Sequence, residues 1–129
     1  MYIFIDTSKD FTIVSLLNLK LEEISSIKKE GMKNQSENLL KLVDKVLTNN
    51  EKNKKDIEAI FVFVGPGSYT GLRVGVATAN ALAFSLKIKV IGVEKKPTKT
   101  DLNKFGKSAK TVMPKYSNPA KITEARSRL

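Results

Sequence analysis

Residues 64–84 read VGPGSYTGLRVGVATANALAF. The apolar run AIFVFV (59–64) before them has the length and continuity of a buried strand and is bounded by Gly65-Pro66. After the glycines, the pattern predicts a helix from about Thr70 to Leu86. Strand, glycine-rich turn and helix together are the layout of a phosphate-cradling loop, so nucleotide binding is the first reading to test. A P-loop requires GxxxxGK[ST], whose lysine neutralises phosphate and whose hydroxyl holds magnesium. Neither Gly67 nor Gly71 is followed by lysine, and that reading fails. Gly65, Gly67 and Gly71 come nearer a dinucleotide fingerprint, with Glu94 at the end of the next strand. The chain then has too few residues left to build a second mononucleotide half.

The helix itself is unusual. Gly71, Gly75, Ala79 and Ala83 recur every four residues as a ridge with almost no side chains, and Ala77 and Ala81 form a second small-residue row. Glycine inside a helix costs about 1 kcal/mol relative to alanine, which a closely approaching backbone would offset. Leu72, Val74, Val76, Leu82, Phe84 and Leu86 leave little polar surface, and a helix apolar nearly all round needs cover on both sides. The expectation is that the chain's own sheet covers one side and a partner protein the other. The expected interface is Gly71, Leu72, Arg73, Gly75, Val76, Ala79 and Ala83, extended by Leu39, Leu40, Val43 and Leu47 of a preceding helix. Arg73 is expected to fix the loop through a carboxylate or carbonyl, or else to contact the partner. Gly65, Pro66, Gly67, Ser68 and Thr70 read as a structural loop. Ser68 and Thr70 are helix caps rather than nucleophiles, since no histidine or lysine in the motif activates them.

Outward from this stretch, YIFID (2–6), FTIVSLL (11–17) and LEEISSIK (21–28) read as an antiparallel three-strand meander. Leu39, Leu40, Val43, Val46 and Leu47 predict a helix over 36–48, capped by Asn34 or Ser36. KVIGV (89–93) is a further strand. The order β-β-β-α-β-α-β demands parallel neighbours joined by crossover helices. This α/β mixed sheet is one lobe of the actin/Hsp70-like, ribonuclease-H-like architecture. Residues 1–97 form that lobe. Residues 98–129 read as a basic tail, irregular at first, in which 112–123 regains apolar content and docks as an edge strand. Sugar-kinase-type relatives of this fold bring turn glycines to the phosphates between the first two strands. Here the turn is Asp6-Thr7-Ser8-Lys9-Asp10, without glycine, where side chains would crowd a triphosphate and Asp10 would repel it.

Composition narrows the chemistry. In 129 residues there is no cysteine and no histidine, which removes disulfides, cysteine-based zinc sites, Ser-His-Asp triads and histidine bases. No apolar run is long enough to span a bilayer, and the start lacks a basic leader, so a cytoplasmic location is expected. The net charge of +10 is uneven: residues 95–129 hold ten Lys/Arg against Asp101 and Glu124. Such a tail either touches RNA or keeps the protein soluble.

IDTS near the start, NQSENLLKLVDKVL (34–47) and above all GPGSYTGLRVGVATANALA (65–83) resemble the TsaB family, also called YeaZ; MPKYSNPAKIT (113–123) is similar to the family's C-terminal end. The resemblance implies a non-catalytic, actin-like scaffold subunit without cofactor or metal. It binds and supports TsaD, which with the ATPase TsaE transfers a threonylcarbamoyl group to the adenosine beside the anticodon. The two helices near 36–48 and 70–86 would enter a helical bundle with TsaD as a heterodimer, or pair two copies as a homodimer. Transfer RNA would be met indirectly, or through the basic tail. Family members usually carry His-Ser before the first helix, where this chain has Gln35-Ser36, and a second lobe, so the chain resembles a one-lobe form. The rival readings are a small nucleotide-binding or kinase-like enzyme and an RNA-binding accessory.

Overall fold

A computed structural model describes residues 1–31, 35–67 and 69–104. Strands β1 (Tyr2–Asp6), β2 (Phe11–Leu17) and β3 (Glu23–Glu30) lead into helix α1 (Gln35–Asn49). Then come a 3-10 turn (Lys54–Asp56), β4 (Ala59–Phe63), α2 (Tyr69–Leu86), β5 (Lys89–Val93) and α3 (Lys99–Lys104). The five strands stand in the order β3-β2-β1-β4-β5. β1 and β2 pair antiparallel, with Tyr2 opposite Leu17, and β2 and β3 pair antiparallel with a register shift at Leu16/Leu17. β4 lies parallel to β1 (Tyr2 opposite Ala59) and β5 parallel to β4 (Ala59 opposite Lys89). The expected mixed sheet with two crossover helices is the one observed.

Alternation along the strands divides the core. Ile3 and Ile5 of β1, Val14 and Leu16 of β2, Ile60 and Val62 of β4 and Val90 of β5 point to one face. There they meet Leu39, Leu42, Val43, Val46 and Leu47 of α1, which recur at helical spacing, and Val76, Ala79, Leu82 and Ala83 of α2. A second cluster of Leu17, Ala59, Phe61, Ile91 and Val93, flanked by Tyr2, Phe4 and Leu21, lies on the opposite face. Tyr2 and Phe61 meet edge to face at 5.7 Å between ring centres.

Apart from shifts of one or two residues at the ends of β3, α1 and α2, three stretches differ from the sequence reading. β3 begins at Glu23 rather than Leu21, because the Asn18 side chain accepts from the backbone N–H of Lys20 (2.9 Å) and of Glu22 (3.0 Å) and Leu21 takes a positive φ of 67°. The polar NNEKNKKD stretch contains the 3-10 turn, closed by a capping box. Asn53 accepts from Lys55 N–H, and Asp56 accepts from Asn53 N–H at 2.9 Å. Residues 98–104 are not irregular. Asp101 accepts from both the N–H (2.8 Å) and the hydroxyl (3.1 Å) of Thr98, which starts α3. The expected segment 112–123 and the caps Asn34 and Ser68 lie outside the described residues.

Candidate protein-docking face

The glycine ridge of α2 does not face outward. A Cβ on Gly75 would run into Thr7 Oγ1, with Thr7 Cβ and Cγ2 each at 3.1 Å. A Cβ on Gly71 would run into the carbonyl oxygen of Thr7, and one on Gly67 would lie 2.9 Å from Ser8 Cβ. The backbone that these glycines admit is therefore the chain's own β1–β2 turn. Thr7 is fully buried there and donates its hydroxyl to the Gly71 carbonyl at 2.5 Å. The turn is held from its other side by Asp6, whose Oδ1 accepts from Ser8 N–H (2.9 Å) and Ser8 Oγ (2.6 Å). Ala79 and Ala83 continue the ridge into the main core.

Most of the expected interface is corrected by this packing. Gly71, Leu72, Gly75, Val76, Ala79 and Ala83 are buried within the chain, and so are Leu39, Val43 and Leu47 of α1. They hold the sheet and helices together and have no surface to offer. Only Leu40 (43% exposed) and Arg73 of that set reach solvent. In the structural loop, Gly65 has φ of 114°, a region that favours glycine, and Gly65-Pro66 is a cis peptide. Val64 N–H donates to Val93 O at 2.9 Å, anchoring the loop's start to β5. Thr70 is exposed in the first turn of α2.

The other side of α2 carries the second small-residue row. Residues 75 and 77 differ by about 200° around a helix at 3.6 residues per turn, so an inward Gly75 turns Ala77 outward. Ala77, Ala81 and Phe84 are exposed, Phe84 by 86%. Two adjoining hollows of about 400 and 390 Å³ run along the seam between α1 and α2, one past Arg73 and Val74, the other past Leu40 and Ala81. Ser36, Ala77 and Thr78 line both. The seam is a shallow trough with small side chains on its floor and Leu40 and Arg73 in its lining; Phe84, seven residues after Ala77, lies on the same side of α2 by helical periodicity. That is the relief expected where another helix is laid down. Sequence reasoning noticed Val74, Ala77, Ala81 and Phe84 but did not place them in the interface; the two-residue offset between the rows was the available signal.

At the start of α1, Gln35 is buried at 5% exposure. Its Nε2 donates to Thr12 Oγ1 at 3.2 Å, while its Oε1 has no hydrogen-bond partner among the described residues. The phenol of Tyr2 is held above its ordinary value, first by burial and then by the neighbouring Glu58 carboxylate. Among the described residues no group of three Asp or Glu side chains is placed to hold a metal, and no helix is long and apolar enough to cross a membrane.

Residues 21–96 match the family model described as "TsaD: tRNA N6-adenosine threonylcarbamoyltransferase". Proteins named "tRNA threonylcarbamoyladenosine biosynthesis protein TsaB" match as well. Those of Buchnera aphidicola (34% identical over 89 residues) and Bacillus subtilis (37% over 92) each align with 69% of this chain. The chain belongs to this family, on the TsaB (YeaZ) side of it. It spans about two fifths of the length of those curated relatives, 41% and 38%. Among solved structures, "YeaZ from Pseudomonas aeruginosa" superimposes with a TM-score of 0.64 at 27% identity, covering 71% of this chain and 42% of that one. A second match is titled "Crystal structure of an uncharacterized protein with similarity to peptidase YEAZ from Pseudomonas aeruginosa"; it gives 0.65 at the same identity and coverage. The actin-like fold read from the sequence is thereby shown.

Proposed function

We propose that this chain is a non-catalytic subunit in the formation of tRNA threonylcarbamoyladenosine, acting in the cytoplasm, and that it docks TsaD on the α1/α2 seam in support of TsaD and TsaE. One observation carries the reading. In a member of this family, the apolar surface of α2 that the sheet does not use lies open beside α1, with Phe84 almost wholly in solvent. A catalytic role finds less support in the residues. The turn that would approach a phosphate is filled by Thr7 and Ser8, and the Ser8 hydroxyl is committed to Asp6. Two copies of the chain pairing through the same seam would compete with TsaD for it.

The test is co-purification of the full chain with TsaD from the same cell. Ala81→Arg fills the trough and Phe84→Ser removes the most exposed large apolar side chain of α2; each is expected to cost about 2 kcal/mol of binding, roughly thirty-fold in affinity. Both residues are exposed, so far-UV circular dichroism and urea midpoints should match the wild type. TsaD retained at wild-type strength by both variants would refute the seam as its docking face.

A further inference from the structure

The face of the sheet turned away from α1 and α2 is also apolar, and it is only partly closed. Phe61, Ile91 and Val93 are buried there, whereas Phe4, Ile13 and Phe63 are half-buried. A cavity of about 360 Å³ opens over this face, at the small end of the range of about 300–1,000 Å³ that small-ligand sites occupy. Strand register sorts its lining into two ends and a middle. At one end are Asp6, opposite Ile13, and Phe63, opposite Val93; Lys95, Lys96 and Pro97 follow soon after Val93 and line the same end. At the other end Leu17 stands opposite Glu23, with Leu21 beside them. Phe4 and Ser15, opposite each other in the β1–β2 ladder, form the middle, where the Ser15 hydroxyl donates to Ser26 Oγ at 3.2 Å.

We propose that this cavity binds a free amino acid with a large apolar side chain. Charge of both signs gathers at one end and the walls beyond it are apolar, which is the pattern of such a molecule. Asp6 spends Oδ1 on Ser8, and among the described residues no donor meets its Oδ2, which is left for an ammonium group. Lys95 and Lys96 are exposed and form no ion pair among the described residues, so either can turn onto a carboxylate held beside Asp6. A ligand with a single charge would meet attraction from one of these groups and repulsion from the other. A zwitterionic head group satisfies both. The ligand side chain then lies along Phe4, Ile13 and Phe63, whose exposed parts gain cover from water. The Ser15 and Ser26 hydroxyls engage each other, so an apolar neighbour costs them less than it would cost two unpaired hydroxyls. Glu23 at the far end is exposed and keeps its charge in water. This site is on the opposite face of the sheet from the α1/α2 seam, and it stands or falls separately from the docking of TsaD.

The test titrates the full chain with L-phenylalanine as the probe and follows amide chemical shifts by NMR. A dissociation constant of about 1 mM or tighter is expected, with the largest shifts in β1, β2 and the 95–97 turn. Phenethylamine lacks the carboxylate and phenylpropanoate lacks the ammonium group; each should bind about ten-fold more weakly. L-alanine, without the large apolar group, should show no binding. Replacing both lysines, Lys95→Ala with Lys96→Ala, should weaken L-phenylalanine about ten-fold and leave phenethylamine unweakened, a split that a merely structural role would not produce. Ser26→Phe, at an exposed position on the cavity wall, fills the space and should abolish binding with the circular dichroism unchanged. No binding of L-phenylalanine at about 10 mM would overturn the proposal. So would equal affinity for its two singly charged analogues, shifts centred away from the cavity, or binding retained by Ser26→Phe. If Ser26→Phe loses its fold, the lysine variant and the analogues decide.

Discussion

Replacing Gly75 by alanine separates two accounts of α2 by the sign of one number. Were the glycine ridge an outward seam, Gly75→Ala would stabilise the free chain by about 1 kcal/mol, because alanine is that much better in a helix interior. In the structure the new Cβ instead meets three atoms of Thr7. That side chain has nowhere to go, being fully buried with its hydroxyl committed to the Gly71 carbonyl. Overpacking of a closed core costs about 1–3 kcal/mol, and three simultaneous contacts place this site in the upper part of that range. After subtracting the propensity gain, a net loss of about 1–2 kcal/mol is expected. With a urea slope of about 1–2 kcal/mol/M for a domain of this size, the midpoint should fall by about 1 M. The measurement is urea unfolding followed by far-UV circular dichroism, since the chain has no tryptophan. Thr7→Ala supplies the control. Alone it should lose about 1 kcal/mol with its buried hydrogen bond. Combined with Gly75→Ala it removes two of the three colliding atoms, Oγ1 and Cγ2, and leaves only Cβ at 3.1 Å, so the pair should be less destabilised than the two single losses added. A Gly75→Ala chain more stable than wild type, or strict additivity with Thr7→Ala, would refute the packing account.

Gly71→Ala should be worse than Gly75→Ala in the same assay and unrelieved by Thr7→Ala, because its Cβ meets backbone rather than side chain. Tyr2→Phe tests the raised phenol. A folded-state value above the unfolded one leaves stability intact below about pH 10 and erodes it as pH rises through the folded value. The decline in urea midpoint from pH 9 to 11 should therefore be shallower in Tyr2→Phe than in wild type. Gln35→Leu alone strips Thr12 of its partner and should lose about 1 kcal/mol; paired with Thr12→Val it should return to wild-type stability or exceed it, since the unpartnered Oε1 leaves as well. Thermal unfolding of the single and double variants checks this.

Much of the fold was legible because period and connection length are local properties. The apolar run 59–64 and the helical recurrence of Leu39, Val43, Val46 and Leu47 each admit one reading, and short gaps among the first three strands allow only a meander. The boundaries that slipped were decided by side-chain hydrogen bonds at Asn18, Asn53 and Thr98. Of these, the Asn53–Asp56 and Thr98–Asp101 spacings are visible capping signals and were overlooked. The site was harder. That α2 is apolar on two sides follows from composition, but which side meets the sheet depends on where the β1–β2 turn ends. This is a tertiary fact set by pairing Ile5 with Val14 on one edge and Val62 on the other.

The division of labour between the two small-residue rows follows from the cost of each residue. Glycine costs about 1 kcal/mol relative to alanine in a helix interior, and the two glycines of α2 stand where a Cβ would collide with Thr7 of its own chain. Alanine carries no such penalty, and suits a row that must stay low without admitting a backbone at the shortest distance. A partner helix resting on Ala77 and Ala81 would sit farther from α2 than Thr7 does. It would gain its contact area from the tall exposed side chains on that side, Leu40 of α1 and Phe84 of α2. Partner recognition on α2 should therefore track these side chains and tolerate small changes on the floor: Ala77→Gly should leave TsaD binding within about two-fold while lowering helix stability by about 1 kcal/mol, whereas Phe84→Ser does the reverse. A partner affinity that followed Ala77→Gly and ignored Phe84→Ser would mean that the contact is backbone-close after all, and that the outward row does for another molecule what the glycines do for Thr7.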